Sequence, residues 1–171
     1  IKTYLSWLGK VSWSHYLTLT FLRRQSEEES LNRLKKYIDK MNREVYGRRY
    51  KESGGIAGCY YFVAVEKQTD TRNIHFHMVV CFPENEKMNE VYRAGKKKLD
   101  KDFFRRFWKD SGGGIMRTDF FPELEDEKDR VLAYCVKQIL LDDSSLFFER
   151  LPEGLKGRKK NPEKEIINIS L

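Results

Sequence analysis

The sequence predicts an α+β fold in which an antiparallel sheet carries helices on one face. Three observations carry this. Short strand-like runs, rich in Thr and aromatics, are interleaved with longer runs of helical period. Two of the strand-like runs, 58–67 and 74–82, are separated by a polar, turn-like stretch and so form an antiparallel hairpin. The resulting order is β-α-β-β-α-β-α, whose first six elements are the split βαβ, ferredoxin-like and RRM-like layout. One sheet face is then open to a ligand, with a tyrosine-bearing helix near it.

Each element has its own reason. HYLTLTFL (15–22) alternates, as a strand does. Ser26 and Glu29 have capping-box spacing, and Leu31, Leu34, Ile38, Met41 and Val45 then recur every three or four residues up to Gly47. GCYYFVAVEK (58–67) and IHFHMVVCF (74–82) are the hairpin strands, and Pro83 helps to end the second. Leu99, Phe103, Phe104, Phe107 and Trp108 have helical spacing, and Gly112 to Gly114 stop that helix. IMRTDFF (115–121) is a fourth strand, 125–141 a third helix with Asp126 at its cap, and EIINISL a short edge strand.

The 171 residues suit one domain, 1–171, with a motif-bearing core at about 15–141 and residues 142–171 as a C-terminal extension or the start of a linker. The chain starts at Ile1 rather than Met, as a trimmed chain or one domain of a longer protein would. Its opening, IKTYLSWLGK, lacks the apolar centre of a signal peptide, and no run is apolar enough to span a bilayer, so no membrane partner is expected. Lys and Arg total 33 against 26 Asp and Glu, and a net charge of +7 favours a polyanionic partner. Cys59, Cys81 and Cys135 have no metal-like spacing and sit in apolar company, which suits reduced thiols in a cytoplasmic or nuclear compartment.

The segment NIHFHMVV (73–80) holds two of the three histidines. Strand alternation puts His75 and His77 on one face and Ile74, Phe76, Met78 and Val80 on the other, toward the core. Two imidazoles at i and i+2 can chelate one divalent cation; on a solvated face they also need no ligand at all. Glu66 ends the preceding strand. If the hairpin sets Glu66 opposite His75, two nitrogens and a carboxylate share a face. That donor set suits Mn²⁺, or Mg²⁺ where a substrate supplies oxygens. His15 matches no ligand motif and reads as a surface or loop residue.

In 125–141, Leu132, Cys135, Val136, Ile139 and Leu140 form an apolar stripe, and Tyr134 falls nearly opposite it. Lys137 is one turn on, on the side of Tyr134. A tyrosine hydroxyl is a weak nucleophile at neutral pH, and a neighbouring ammonium favours its phenolate. With a metal polarising a phosphodiester, attack by Tyr134 yields a phosphotyrosine and a free hydroxyl, a step that can run backwards to rejoin a strand.

With these residues the sequence resembles the HUH endonuclease superfamily, and within it the single-tyrosine rolling-circle replication initiators (Rep proteins) of plasmids and small DNA viruses. YLTLTF (16–21) resembles the first family motif, HFH (75–77) the second and YCVK (134–137) the third, in that order. The resemblance implies His75, His77 and Glu66 as metal ligands for Mn²⁺ or Mg²⁺, Tyr134 as nucleophile and Lys137 as the motif lysine. Position 138 is Gln, so the pattern is similar to the one-tyrosine members. No phosphate-binding loop of a helicase is present, so a host or separately encoded helicase is an expected partner. The implied activity is sequence-specific nicking and joining of single-stranded DNA through a 5′-phosphotyrosine, in the cytoplasm, or in the nucleus for a eukaryotic virus. A relaxase or single-tyrosine transposase would share that chemistry. A non-catalytic RRM-like nucleic-acid-binding module would share the fold alone.

Single-stranded or hairpin origin DNA is the expected substrate. Arg23, Arg24, Arg48, Arg49, Lys51, Lys96, Lys97, Lys98, Lys156, Arg158, Lys159 and Lys160 are the candidate phosphate contacts. Tyr60, Tyr61 and Trp108 could stack bases, although core packing is the better account of each.

Overall fold

A computed structural model describes residues 2–53, 58–67, 73–84, 92, 94–95, 97, 99–141 and 147–152. In chain order the elements are α1 (Lys2–Leu8), β1 (His15–Leu19), α2 (Glu27–Tyr46), a 3₁₀ turn (Tyr50–Ser53), β2 (Tyr60–Lys67), β3 (Ile74–Cys81), α3 (Lys101–Asp110), β4 (Met116–Phe120), α4 (Glu125–Leu141) and β5 (Phe147–Arg150). The five strands form one sheet in the order β4-β1-β3-β2-β5, every neighbouring pair antiparallel. The first four strands with α2 and α3 are the expected α+β, ferredoxin-like arrangement. No helix of the described residues is long and apolar enough to cross a membrane.

Local chemistry sets the helix ends. The Ser26 hydroxyl accepts from the Glu29 amide at 3.1 Å, and the Glu29 carboxylate accepts from the Ser26 amide at 3.2 Å, a complete capping box that starts α2. Asp100 accepts from the Phe103 amide at 2.6 Å and starts α3. Beyond α3, Gly112 adopts φ +84, where a side chain would be strained, and a Cβ on Gly113 would collide with the Trp108 indole. The chain therefore turns tightly there, and Trp108 Nε1 donates to the Thr20 carbonyl at 3.0 Å, tying α3 to the end of β1.

The main core lies between the sheet and the pair α2 and α3. Leu34, Ile38, Met41 and Val45 meet Leu17, Val63, Phe76 and Met78 there, all fully buried, as the helical spacing predicts. Each such side chain contributes roughly 1.5–3 kcal/mol by leaving water.

The opposite sheet face is not free, which corrects the expectation of helices on one face. A second cluster joins Phe62, Ala64, Val79 and Cys81 of the sheet to Leu8 of α1 and Leu132, Cys135 and Val136 of α4. The cause is visible in β2 and β3, whose apolar runs YYFVAV and MVVC lack alternation and so require cover on both sides. α4 packs against β2 and β3, while β1 and β4 stay open on that face. α1 braces α4 from its flank.

Two further corrections concern strands and His15. The edge strand beside β2 is Phe147–Arg150, held by Arg150 Nη1 donating to the carbonyls of Gly58 (2.7 Å) and Cys59 (2.8 Å). The expected edge strand EIINISL lies outside the described residues. His15 is no surface residue: it opens β1 on the main-core face, with its ring 4.6 Å from that of Phe104 and 5.2 Å from that of Phe120. Its Nδ1 meets Ser14 Oγ at 2.9 Å, while Nε2 is buried with no hydrogen-bond partner among the described residues. Burial lowers its pKa to about 4, so the ring is neutral.

Candidate active site

The hairpin register sets Glu66 directly opposite His75, and Ala64 opposite His77. Ile74, Phe76, Met78 and Val80 face the main core, so His75, His77 and Glu66 share the other face. Glu66 Oε2 lies 2.9 Å from His77 Nε2 and 3.9 Å from His75 Nδ1, so one carboxylate oxygen draws both imidazoles together. The contact to His77 is the diagonal one across the hairpin, which a Glu is long enough to make.

His77 is 2% exposed, because the second core surrounds it. On its other side, Tyr16 Oη lies 3.0 Å from His77 Nδ1, with the two rings nearly parallel. Thr18, the β1 residue beside His77, holds its hydroxyl 3.5 Å from Tyr16 Oη. His77 is therefore hydrogen-bonded at both ring nitrogens. Burial pushes the Tyr16 phenol well above its usual range, so it stays protonated. Burial also lowers the His75 pKa; Glu66 opposes that shift and His77 reinforces it.

α4 brings the tyrosine to this cluster. Leu132, Cys135 and Val136 are buried, while Tyr134 is 50% exposed, on the opposite side of the helix as the periodicity predicts. The Tyr134 ring meets His77 edge-on, at 5.0 Å between centroids and 90° between planes. Lys137 is exposed three residues further along. Glu125, Asp126 and Glu127 occupy the first turn of α4, where carboxylates offset the helix dipole.

Among the described residues no group of three His, Cys, Asp or Glu side chains stands as a formed metal cage. The donors instead satisfy one another, with Glu66 bonded to His77. Their chemistry nevertheless fits a hard divalent ion. Two cis ligands, each about 2.1 Å from one ion, sit about 3 Å apart, which is the spacing of Glu66 Oε2 and His77 Nε2. His75, His77 and Glu66 are the residues that would hold it.

The candidate phosphate contacts divide by position. Leu19 pairs with Phe76, so Arg23 and Arg24, both exposed just beyond β1, lie at the His75 end of the sheet. Arg48, Arg49 and Lys51 follow α2 in the opposite helix layer; Arg49 pairs with Glu52 at 2.7 Å and Lys51 with Asp39 at 3.0 Å. Lys97 is exposed near the end of α2, since Gly95 abuts Val45. Lys96, Lys98, Lys156, Arg158, Lys159 and Lys160 lie outside the described residues. Tyr61 and Trp108 are core residues, and Tyr60 is half-buried beneath the Arg150 guanidinium.

Sequence reasoning passed over Arg117. Thr18 pairs with both Arg117 and His77, so these three form one row across the site face. Arg117 is exposed, with no ion pair or hydrogen bond among the described residues. The available signal was its place in MRTDF, one residue from the core methionine Met116. Leu22 and Ile115, 78% and 67% exposed, lie at the same open end of the sheet.

Residues 14–139 match the family model of the replication-associated protein ORF2. No curated protein matches the chain. Among solved structures the chain is similar to the hypothetical protein ORF119 from Sulfolobus islandicus rod-shaped virus 1, at 13% identity over 81% of this chain and 92% of that one, with a TM-score of 0.41.

Proposed function

The chain belongs to the replication-associated protein ORF2 family, and from that premise we propose that it is an HUH-type, single-tyrosine nuclease that starts rolling-circle replication by nicking single-stranded or hairpin origin DNA. The observation that carries this reading is the meeting of Tyr134 with the His75, His77 and Glu66 cluster, edge to ring on His77. A sheet that served only as a binding platform would need no such meeting.

Tyr134 Oη attacks the scissile phosphorus in line with the departing oxygen. A bond from Oη to phosphorus forms, and the bond from phosphorus to the 3′ oxygen breaks. The phenolic proton passes to solvent, and the departing oxygen takes one up as a 3′ hydroxyl. Held by His75, His77 and Glu66, Mn²⁺ or Mg²⁺ would polarise that phosphodiester and offset charge on its oxygens. Lys137 adds a positive charge on the Tyr134 side of α4. The 5′-phosphotyrosine keeps the energy of the original bond, so a 3′ hydroxyl attacking it restores a continuous strand. Family membership favours replication over the relaxase and transposase readings of the same chemistry.

The test mixes the protein with Mn²⁺ or Mg²⁺ and labelled single-stranded DNA carrying the native origin. A denaturation-resistant adduct forms with the wild type and not with Tyr134→Phe. An adduct that persists in that variant moves the nucleophile elsewhere. No adduct on authentic origin DNA leaves the non-catalytic module.

A further inference from the structure

We propose that Tyr16 is a positioning residue that lets His77 exchange tautomers, and that this exchange is what admits a divalent cation to the site. The inference rests on the metal reading above and goes beyond it by assigning a role to a strand residue that is no ligand.

The argument starts from proton positions. Without a cation, His77 Nε2 faces the Glu66 carboxylate at 2.9 Å. An ionised carboxylate only accepts, so the proton sits on Nε2. Nδ1 then carries the lone pair, and Tyr16 must donate to it across the 3.0 Å contact. A cation coordinated by Nε2 needs the lone pair there, so the proton must move to Nδ1. Tyr16 Oη must then accept.

A hydroxyl can serve both states, because it donates in one and accepts in the other. A carboxylate or carbonyl in its place would hold the proton on Nδ1 permanently and set the Nε2 lone pair against Glu66. An apolar side chain would forbid the second state instead, since a buried Nδ1–H would have no acceptor. When Tyr16 accepts, its own proton needs a new partner. Thr18 Oγ1, at 3.5 Å, stands beside it, on the same strand and face. Burial of Tyr16 keeps that proton on the phenol, so a neutral hydroxyl is what His77 always meets.

The measurement that reads this directly is two-bond ¹H–¹⁵N correlation NMR of the imidazoles. In the metal-free wild type the His77 proton is on Nε2, and saturating Mg²⁺ moves it to Nδ1. Tyr16→Phe keeps it on Nε2 and weakens Mn²⁺ binding about 10- to 100-fold, read by electron paramagnetic resonance of free Mn²⁺. Mn²⁺ affinity equal to wild type in a folded Tyr16→Phe overturns the inference. So does a wild-type proton that stays on Nε2 in saturating Mg²⁺, a result that needs no variant to fold. Wild-type-like Mn²⁺ affinity in His75→Ala and His77→Ala sinks the metal reading itself.

Discussion

The Tyr134 ring stands at right angles to the imidazole of His77, 5.0 Å from centroid to centroid, although the two residues are 57 positions apart in the chain. An exposed helix residue and a buried strand residue are thereby joined at one point. Removing the hydroxyl while keeping the ring should separate chemistry from architecture. Tyr134→Phe is expected to keep its thermal stability and to hold DNA as the wild type does. Its single-turnover cleavage should fall by about 10³-fold or more. Parallel loss of DNA binding would show that the ring contact, rather than the hydroxyl, had been lost.

Glu66 is shared between both imidazoles, so its charge matters more than its shape. Glu66→Gln retains a side chain that can still meet His77. Mn²⁺ affinity should nonetheless drop by about tenfold or more, measured by calorimetric titration. Unchanged affinity would remove Glu66 from the ligand set.

Arg117 shares a row with Thr18 and His77 and carries no competing partner among the described residues. Arg117→Ala should weaken single-stranded DNA binding and reduce the slope of log K against log salt by about 0.7, the value for one phosphate contact. Arg49→Ala, whose guanidinium is engaged by Glu52 on the opposite layer, should leave the slope as it is. Fluorescence anisotropy at several salt concentrations reads both.

His15 is neutral and buried, with a folded pKa of about 4 against the usual 6.5. Between those values the unfolded chain binds more protons than the folded one, so stability rises with pH there and is lost as pH falls. The contribution is about 2–3 kcal/mol, complete above pH 6.5 and gone below pH 4. Thermal melts from pH 7 to pH 4 should show this decline, and His15→Phe should flatten it. An equally steep decline in the variant would place the effect on other groups.

Much of this fold was legible because local signals agreed with tertiary ones. Ser26 and Glu29 cap α2, the Leu34, Ile38, Met41 and Val45 stripe is buried, and Gly112 ends the helix turn as written. The pairing of Glu66 with His75 followed from hairpin geometry, and the outward side of Tyr134 from helical period. What escaped depended on long-range cover. α1 is seven residues long, too short for its periodicity to mark it. His15 reads as polar but is enclosed by Phe104 and Phe120, which lie about 90 and 105 positions away. Tyr16 and Arg117 became site residues only once the sheet order placed β1 and β4 beside β3.

The depth of each group has a consequence for what can reach it. His77 lies at the bottom, Glu66 above it, and Tyr134 half in water at the rim. Such a funnel sorts visitors by girth. A small ion can travel to the floor, while a polymer strand meets the outermost oxygen first and stops there. A chain joined to Tyr134 is anchored at the water's edge, so its free length can unwind, be copied or be carried away while one end remains tethered.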